Sequence, residues 1–242
     1  MKRILTIDIG GSYIKYGQIQ EDLTISNKGR KATPDSSLED FLSVLSSIVD
    51  ERLPLDGIAI SMPGFINVDT GIAHTAGALH YMKEFPLQKV LEQRYGIPVS
   101  LENDAKAAML AEMEYGNLKD ANNGIAVILG TAVGGGIMIN RQLIKGSHLT
   151  SGEFSFMRFD YGDMSLERGI GYYFGAKRLI RIADAKSSSS IQNGVEIFDA
   201  IKAGDTQVLS VMQAFCRQLC YIIYNLHAVI DTDQVVIGGG IS

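Results

Sequence analysis

The sequence is poor in metal-binding and disulfide-forming residues: of 242 residues, two are Cys, four are His and none is Trp. Two cysteines do not make a disulfide framework or a zinc knuckle by themselves. Cys216 and Cys220 lie four residues apart in a segment of helical pattern. We therefore expect both on one face of a helix, as small buried apolar side chains.

An excess of positive charge is also missing, since 22 Lys and Arg stand against 27 Asp and Glu, a net charge of −5. Because no local Lys/Arg cluster compensates, nucleic acid is not an expected partner. No apolar run approaches the roughly 18 residues of a membrane span. Asp8 interrupts the N-terminal apolar run well before it reaches the length of a signal peptide. We interpret the chain as a cytoplasmic protein without a membrane or nucleic-acid partner.

The first half alternates strand-type and amphipathic segments. Segments 3–9 and 13–20 have strand composition and are separated only by Gly10-Gly11-Ser12, which predicts a hairpin. The pattern then predicts a strand near 23–32, a helix at 37–52, a strand at 57–61, a helix at 86–95, a strand at 97–102 and a helix opening at 103–104. This order indicates a mixed sheet with α/β crossovers.

The second half opens with the same pattern. A buried strand is predicted at 124–129, a glycine turn at 130–135 and a returning strand at 136–140. A long apolar helix follows at 206–230, and a last strand at 233–237. Two strand–turn–strand units, one opening each half, indicate an internal duplication.

Three glycine-rich turns, at 10–12, 130–136 and 238–240, could admit a phosphate group. Without Cβ atoms, such turns let backbone N–H groups approach an anion closely. Neither of the first two has the spacing of a P-loop or a dinucleotide fingerprint. Asp8 precedes the first turn, where a carboxylate can hold Mg²⁺, directly or through water, or can simply stabilise the turn.

Four segments carry a family resemblance. They read Asp8-Ile9-Gly10-Gly11-Ser12-Tyr13-Ile14-Lys15, Glu102-Asn103-Asp104-Ala105-Lys106-Ala107-Ala108, Gly130-Thr131-Ala132-Val133-Gly134-Gly135-Gly136-Ile137 and Gly238-Gly239-Gly240-Ile241-Ser242. In this order they resemble the ROK family, sugar kinases and related sugar-responsive repressors on the actin/hexokinase ATPase fold. The resemblance spans essentially the whole chain.

The resemblance implies an α/β protein of two actin-like ATPase domains, each with a mixed sheet flanked by helices. We expect an N-terminal domain at 1–116 and a C-terminal domain at 117–242, with Mg-ATP and a sugar held between them. It also implies a homodimer.

The resemblance further implies the binding residues for the donor and the acceptor. The donor side, including Mg²⁺ at Asp8, would involve Asp8, Gly10, Gly11, Ser12, Lys15, Thr131, Gly134, Gly135, Gly239 and Gly240. The sugar side would involve Pro63, Gly64, Asn103, Glu153 and Glu167.

Asn103 and Asp104 stand where a strand gives way to a helix, the edge at which open α/β folds place ligands. Both residue types favour helix N-caps, and that is one interpretation. In the other, which the resemblance favours, Asp104 is the general base that takes a proton from a sugar hydroxyl during phosphoryl transfer.

Two departures from the family pattern bear on the site. Phe156 stands where the family has a zinc-ligand His, and segment 158–165 replaces the family's cysteine motif without a cysteine. We therefore expect no structural zinc and a similarity to the subgroup of β-glucoside, hexose and N-acetylmannosamine kinases that lack the motif. Phe156 could instead offer an apolar face to a sugar ring or to a glycoside substituent.

The second departure is the C-terminus, because family members continue past the last glycine turn. We expect the C-terminal domain to be incomplete and the adenosine half-site to lack a wall. The alternative to a kinase is a sugar-responsive, non-catalytic regulator or binding module. A repressor would need a helix-turn-helix before the first strand, for which residue 3 leaves no room.

Overall fold

The computed structural model describes residues 2–158 and 169–240. The chain divides into two compact units, Met1–Ala107 and Ala108–Ser242, each of which is described by itself. The division falls inside a helix, Asp104–Glu114, nine residues before the predicted boundary at 116. The predicted domain limits stay a prediction.

Unit 1 contains one main sheet and two helices before the helix at the boundary. Its elements are β1 (Ile4–Ile9), β2 (Tyr13–Ile19), β3 (Ile25–Ala32), α1 (Leu38–Asp50), β4 (Gly57–Met62), β5 (Ile66–Asn67), β6 (Ile72–Ala73), α2 (Leu87–Tyr95) and β7 (Val99–Asn103), followed by α3 (Asp104–Glu114). All of the helices and strands predicted for this half are confirmed, with ends within about two residues.

The main sheet of unit 1 has the strand order β3-β2-β1-β4-β7. β1, β2 and β3 form an antiparallel meander, so the predicted hairpin around Gly10 is confirmed. β4 and β7 run parallel to β1, which brings the carboxyl ends of these three strands to one edge. Open α/β sheets bind ligands at this edge.

The core of unit 1 lies between this sheet and its helices. The inward faces of β1 and β4 are almost fully buried, as are the apolar positions of α1 at 41, 45, 48 and 49. Ser37 caps α1 by accepting a hydrogen bond from Asp40 N. The helix therefore follows from its 3–4 apolar spacing and its cap.

Unit 2 repeats the arrangement of a hairpin beside a parallel strand. Its elements are β8 (Gly124–Leu129), β9 (Val133–Ile139), β10 (Gln142–Leu143), a 3-10 turn (Phe154–Phe156), α4 (Ile170–Phe174), α5 (Ala176–Lys186), α6 (Gly194–Lys202), α7 (Thr206–Ile230) and β11 (Gln234–Gly239). The sheet order is β10-β9-β8-β11, with β9 antiparallel and β11 parallel to β8. The same arrangement of β2, β1 and β4 in unit 1 supports the predicted duplication.

Two expectations for unit 2 were wrong. β9 begins at Val133 rather than at 136, because Gly134 and Gly135 pair with β8 instead of extending the turn. Cys216 and Cys220 are exposed, not buried. α7 turns the stripe of 208, 215, 219, 222 and 226 into the core, and the two cysteines lie next to that stripe on the outer side.

Among residues 2–158 and 169–240, no helix combines the length and hydropathy that crossing a membrane would require.

Candidate functional site

The glycine turn after β1 is held in place by the end of β3. Gly10 N donates to Tyr13 O at 2.9 Å, and Thr33 Oγ1 donates to Gly10 O at 2.7 Å. Thr33 N also donates to Ser12 O at 3.1 Å. The three-residue turn is thus ordered by backbone and side-chain bonds before any ligand arrives.

Asp8 lies at the end of β1 in a row of polar side chains that crosses three strands. Sheet register places it opposite Lys15 on β2 and Ser61 on β4. Ser61 Oγ donates to Asp8 Oδ1 at 2.8 Å, and Lys15 Nζ lies 3.8 Å from Asp8 Oδ2. Lys15 and Asp8 are both exposed, so this ion pair contributes little stability and leaves the carboxylate accessible.

Asn103 ties the end of β7 to the Met62-Pro63-Gly64 turn. Its side chain is only 3% exposed; Nδ2 donates to Gly64 O at 3.0 Å, while Oδ1 accepts from Lys106 N at 3.0 Å. Asn103 is therefore the cap of α3 as well as a link to the turn. Its predicted contact with sugar hydroxyls stays a prediction.

Gly64 has a φ of +102°, and a Cβ there would overlap Thr75 O. The turn beside Asn103 therefore requires glycine. Pro63 packs against Gly77 of the loop after β6, where an added Cβ would meet the Pro63 ring at 2.9 Å. The sequence interpretation of Pro63 and Gly64 as a turn is confirmed; their sugar contact stays a prediction.

Asp104 is the first residue of α3, and Ala105 N donates to its Oδ1 at 2.8 Å. The side chain is accessible to solvent, yet enough protein surrounds it that burial raises the pKa of its carboxyl. The negative charge of Asp8 raises this pKa further, whereas the Ala105 bond and the cation of Lys106 lower it. Asp104 and Asp8 are thus close enough to interact. An accessible carboxylate with a raised pKa is suited to accept a proton.

In unit 2, the turn after β8 is short and touches the start of α5. Gly130 N donates to Ala132 O at 2.9 Å, and Ala176 N donates to Gly130 O at 2.8 Å. Thr131 is exposed at this turn. Gly134 and Gly135 lie in β9 instead, and their predicted contact with donor phosphates stays a prediction.

The end of β11 lies beside the end of β8, since Gly239 pairs with Leu129. Gly239 has a φ of +115°, and a Cβ there would overlap Leu129 O, so this position requires glycine. Gly240 follows with open space around it. Of the three glycine turns predicted for the donor, the two in unit 2 therefore follow adjacent parallel strands.

Glu153 is half-buried and directly precedes the 3-10 turn, where its carbonyl accepts from Phe156 N at 3.1 Å. Phe156 is 48% exposed. An acidic and an aromatic side chain therefore share one short turn. Glu167, the other predicted acidic sugar contact, lies outside the described residues.

Ser61 was not predicted to belong to the site. Its partner Asp8 is 53 positions away in the sequence, and the contact depends on the parallel register of β1 and β4. Within the described ranges, no three or more His, Cys, Asp or Glu side chains come together as a metal-holding group.

The two units, each with a strand hairpin, a parallel strand and flanking helices, define the actin/hexokinase-like α/β fold. The model of the ROK family matches residues 4–242, and the chain belongs to this family. It is 31% identical to a β-glucoside kinase of Klebsiella pneumoniae, over 99% of this chain and 82% of that protein.

Solved structures agree with this assignment. A ROK family glucokinase from Streptomyces griseus, in complex with glucose and AMPPNP, is similar with a TM-score of 0.84 at 25% identity, covering 99% of this chain and 83% of that one. A ROK family protein from Streptococcus pneumoniae in complex with sucrose is similar with a TM-score of 0.83 at 30% identity, covering 99% and 81%.

Proposed function

We propose that the protein is a sugar kinase that transfers the γ-phosphoryl group of ATP, with Mg²⁺, to a hydroxyl of a hexose or hexose derivative. The observation that carries the proposal is Asp104, an accessible carboxylate of raised pKa at the carboxyl end of a parallel strand. The names of the relatives, β-glucoside kinase, glucokinase and N-acetyl-D-glucosamine kinase, support the class of acceptor.

Asp104 acts as the general base. Its carboxylate accepts the proton of the attacking hydroxyl while that oxygen forms a bond to the γ-phosphorus. The bond between the γ-phosphorus and the bridging oxygen breaks, and ADP leaves with that electron pair. The raised pKa makes Asp104 a stronger base than an ordinary aspartate, and the bond from Ala105 N holds one carboxylate oxygen in a fixed direction.

Asp8 fits a magnesium site. It offers a hard carboxylate oxygen, and Mg²⁺ commonly takes one or two such ligands in addition to substrate phosphates and water. A cation there would also offset the repulsion between Asp8 and Asp104 that raises the Asp104 pKa. Bound with the donor, Mg²⁺ supplies positive charge that offsets the charge of the transferring phosphoryl group.

The donor phosphates would be held by backbone groups of the turn at Gly10, Gly11 and Ser12 and of the turn at Thr131, with Lys15 as a nearby cation. Gly10 shapes the turn, since its own N–H donates to Tyr13 O. The turn is also fixed by the Thr33–Ser12 bond, which supports this assignment because ordered backbone groups lose little freedom on binding. Gly239 and Gly240 would lie on the adenosine side. This assignment also extends to Gly134 and Gly135, which adjoin the Thr131 turn in the sequence.

The sugar would be bound by Glu153 and Glu167 and by the turn of Pro63 and Gly64, which Asn103 anchors. Phe156, exposed on the turn that follows Glu153, offers an apolar face for a sugar ring or a glycoside substituent.

The test is the Asp104→Asn variant, assayed by ADP formation with glucose, mannose, fructose, N-acetylmannosamine and β-glucosides. The amide keeps the shape but accepts no proton, so turnover should fall by roughly 10²–10⁴-fold with sugar affinity nearly unchanged. Asp120→Asn, an exposed aspartate beyond α3, is the matched control and should behave as wild type. Near-wild-type turnover of Asp104→Asn would refute the general-base assignment.

A second variant separates the base from the metal site. Asp8→Ala should weaken the use of Mg-ATP and raise the Mg²⁺ concentration needed for half-maximal rate, because a metal ligand is lost while the base remains. An unchanged Mg²⁺ dependence would show that Asp8 does not bind the metal and only stabilises the turn.

A further inference from the structure

The loop after β6, residues 74–84, lies directly against the turn of Pro63 and Gly64. A Cβ on Gly64 would overlap Thr75 O, so the two backbones are in contact there. Phe65, the residue after the turn, is held at both of its backbone groups. Phe65 N donates to Thr75 Oγ1 at 3.0 Å, and His74 N donates to Phe65 O at 2.9 Å. The end of the turn is therefore fixed by two consecutive residues of this loop, and Thr75 acts through its side chain.

The 74–84 loop has its own attachment to the core of unit 1. Its two ends are joined, because Ala73 and Phe85 exchange backbone hydrogen bonds of 2.9 and 3.0 Å. Three apolar side chains between these ends are almost fully buried in the core cluster of unit 1, at positions 76, 79 and 82. A closed base and buried apolar side chains make the loop a rigid support. The Thr75 hydroxyl is therefore presented to Phe65 from a fixed position.

The turn is held from β7 as well. Asn103 Nδ2 donates to Gly64 O at 3.0 Å, and Asn103 Oδ1 caps α3, the helix that Asp104 begins. The Asn103 amide and the Thr75 hydroxyl thus hold two successive residues, Gly64 and Phe65. The turn is fixed between the 74–84 loop on one side and the start of the helix with the proposed base on the other.

We propose that Thr75 is a positioning residue for the acceptor: its hydroxyl holds Phe65, so that the turn of Pro63 and Gly64 is ordered before the sugar binds. The proposal rests on the proposed kinase function, which places the sugar at this turn. Without the hydroxyl, Phe65 N–H loses this acceptor and the turn can leave its ordered arrangement. The cost of ordering the turn would then oppose sugar binding, while proton transfer to Asp104 would be unchanged.

The 74–84 loop also touches the first glycine turn, through a different residue. A Cβ on Gly11 would lie 3.2 Å from the Ala78 methyl group. The first glycine turn has a threonine of its own, since Thr33 Oγ1 donates to Gly10 O at 2.7 Å. Because the loop keeps its core side chains when the Thr75 hydroxyl is removed, Ala78 should stay in place. Loss of that hydroxyl should therefore affect the acceptor and leave the donor turn as it is.

The experiment compares Thr75→Val, which keeps the shape but cannot accept the bond from Phe65 N, with Thr75→Ser, which keeps a hydroxyl. Each variant of the whole chain is titrated calorimetrically, without donor, with glucose, mannose, fructose, N-acetylmannosamine and methyl β-glucoside. Thr75→Val should weaken binding of the sugars that wild type binds by roughly threefold to tenfold, and Thr75→Ser should restore it. In ADP-formation assays the sugar KM should rise while kcat and the ATP KM stay near wild type. Amide exchange measured by NMR should be faster at Phe65 in Thr75→Val and normal in Thr75→Ser.

Two other threonines provide matched controls. Thr70→Val changes an exposed threonine between β5 and β6 and should behave as wild type in every measurement. Thr33→Val removes the corresponding hydroxyl at the donor turn and should raise the ATP KM while leaving sugar affinity unchanged.

Two results would overturn the assignment of Thr75 alone. One is wild-type sugar affinity in Thr75→Val. The other is an equal loss of sugar and ATP affinity in that variant, which would indicate a general loosening of unit 1. If wild type binds none of the five sugars, the proposed function itself fails, and the acceptor role of Thr75 fails with it.

Discussion

Asp104 carries a charge that its surroundings disfavour. Burial and the charge of Asp8 raise its pKa above the ordinary 3.8, so the folded chain holds the proton more tightly than the unfolded chain does. Above the raised pKa, the ionised carboxylate therefore lowers the free energy of unfolding, and this cost disappears as the pH falls through that pKa. The surroundings that suit Asp104 to proton transfer therefore lower the stability of the folded chain.

The first prediction follows from this destabilising effect of the ionised Asp104 carboxylate. At pH 7.5, Asp104→Asn should unfold at a higher temperature than wild type, by roughly 1–3 °C, since solvent screens a partly exposed carboxyl. The difference should shrink as the pH approaches 3.8. Differential scanning calorimetry at several pH values measures it. A lower melting temperature for Asp104→Asn at pH 7.5 would contradict the destabilising effect of the ionised Asp104 carboxylate.

The second prediction concerns the pair of carboxylates. Asp8→Asn removes the charge that raises the Asp104 pKa, so this pKa should fall. Carbon-13 NMR titration of the Asp104 carboxyl reports the shift without depending on activity, and Asp69→Asn, an exposed aspartate of the same unit, is the control. In wild type, activity should decline as the pH drops through the raised pKa, because the base must be ionised. An Asp104 pKa that is the same in Asp8→Asn as in wild type would show that the two groups do not interact.

At the scale of secondary structure, patterns within a short stretch were the reliable guide. Strand composition with a glycine turn predicted the hairpin of β1 and β2, and apolar spacing predicted α1 and α7 at nearly their observed bounds. Contacts between distant segments could not be predicted. The bond between Ser61 and Asp8 depends on a parallel register, and the exposure of Cys216 depends on which stripe of α7 faces the core of unit 2.

β9 shows how a local signal can mislead. Consecutive glycines normally indicate a turn, yet here they lie in a strand because other residues need the space. Gly135 makes room for the ring of Phe154 on one face of β9, and Gly136 makes room for Met109 on the other. The packing that selects these glycines is not visible in the sequence around them.

The third prediction tests that packing. Gly135→Ala should lower stability by about 1–3 kcal/mol, because the new methyl group overlaps the Phe154 ring and Ala126 O. Gly130→Ala is the matched control: its Cβ would lie 3.7 Å from the nearest heavy atom beyond the adjoining residues, Ala132 O, and its stability should change little. Urea unfolding of both variants provides the comparison. Equal midpoints would mean that β9 adapts without cost.

At the scale of the whole molecule, one arrangement occurs twice: a glycine-turn hairpin flanked by a parallel strand. Each copy brings strand ends and a turn to one edge, where backbone groups and a few polar side chains collect. The ROK resemblance and the internal repeat were visible in the sequence because both depend on order along the chain. The role of Glu167 and the predicted domain limits stay predictions.

The fourth prediction concerns the metal content of the whole chain. Phe156 and the missing cysteines leave the family's zinc site without ligands, so protein purified without chelators should contain zinc only in substoichiometric amounts. Elemental analysis by mass spectrometry measures this, with a zinc-motif member of the family as the positive control. One zinc per chain would show that other residues bind the metal.

The division of the chain inside α3 has a consequence for hydrogen exchange. Asp104 begins the helix in unit 1, while Met109 and Met113 lie buried in a cluster of unit 2. Opening the second half of α3 requires withdrawing both methionines from that cluster, which places its amides among the slowest to exchange. Exchange mass spectrometry should therefore find peptides covering 105–113 protected far longer than the serine loop at 187–190. The proposed base would then begin a helix whose opening free energy is set by a core to which Asp104 itself does not belong.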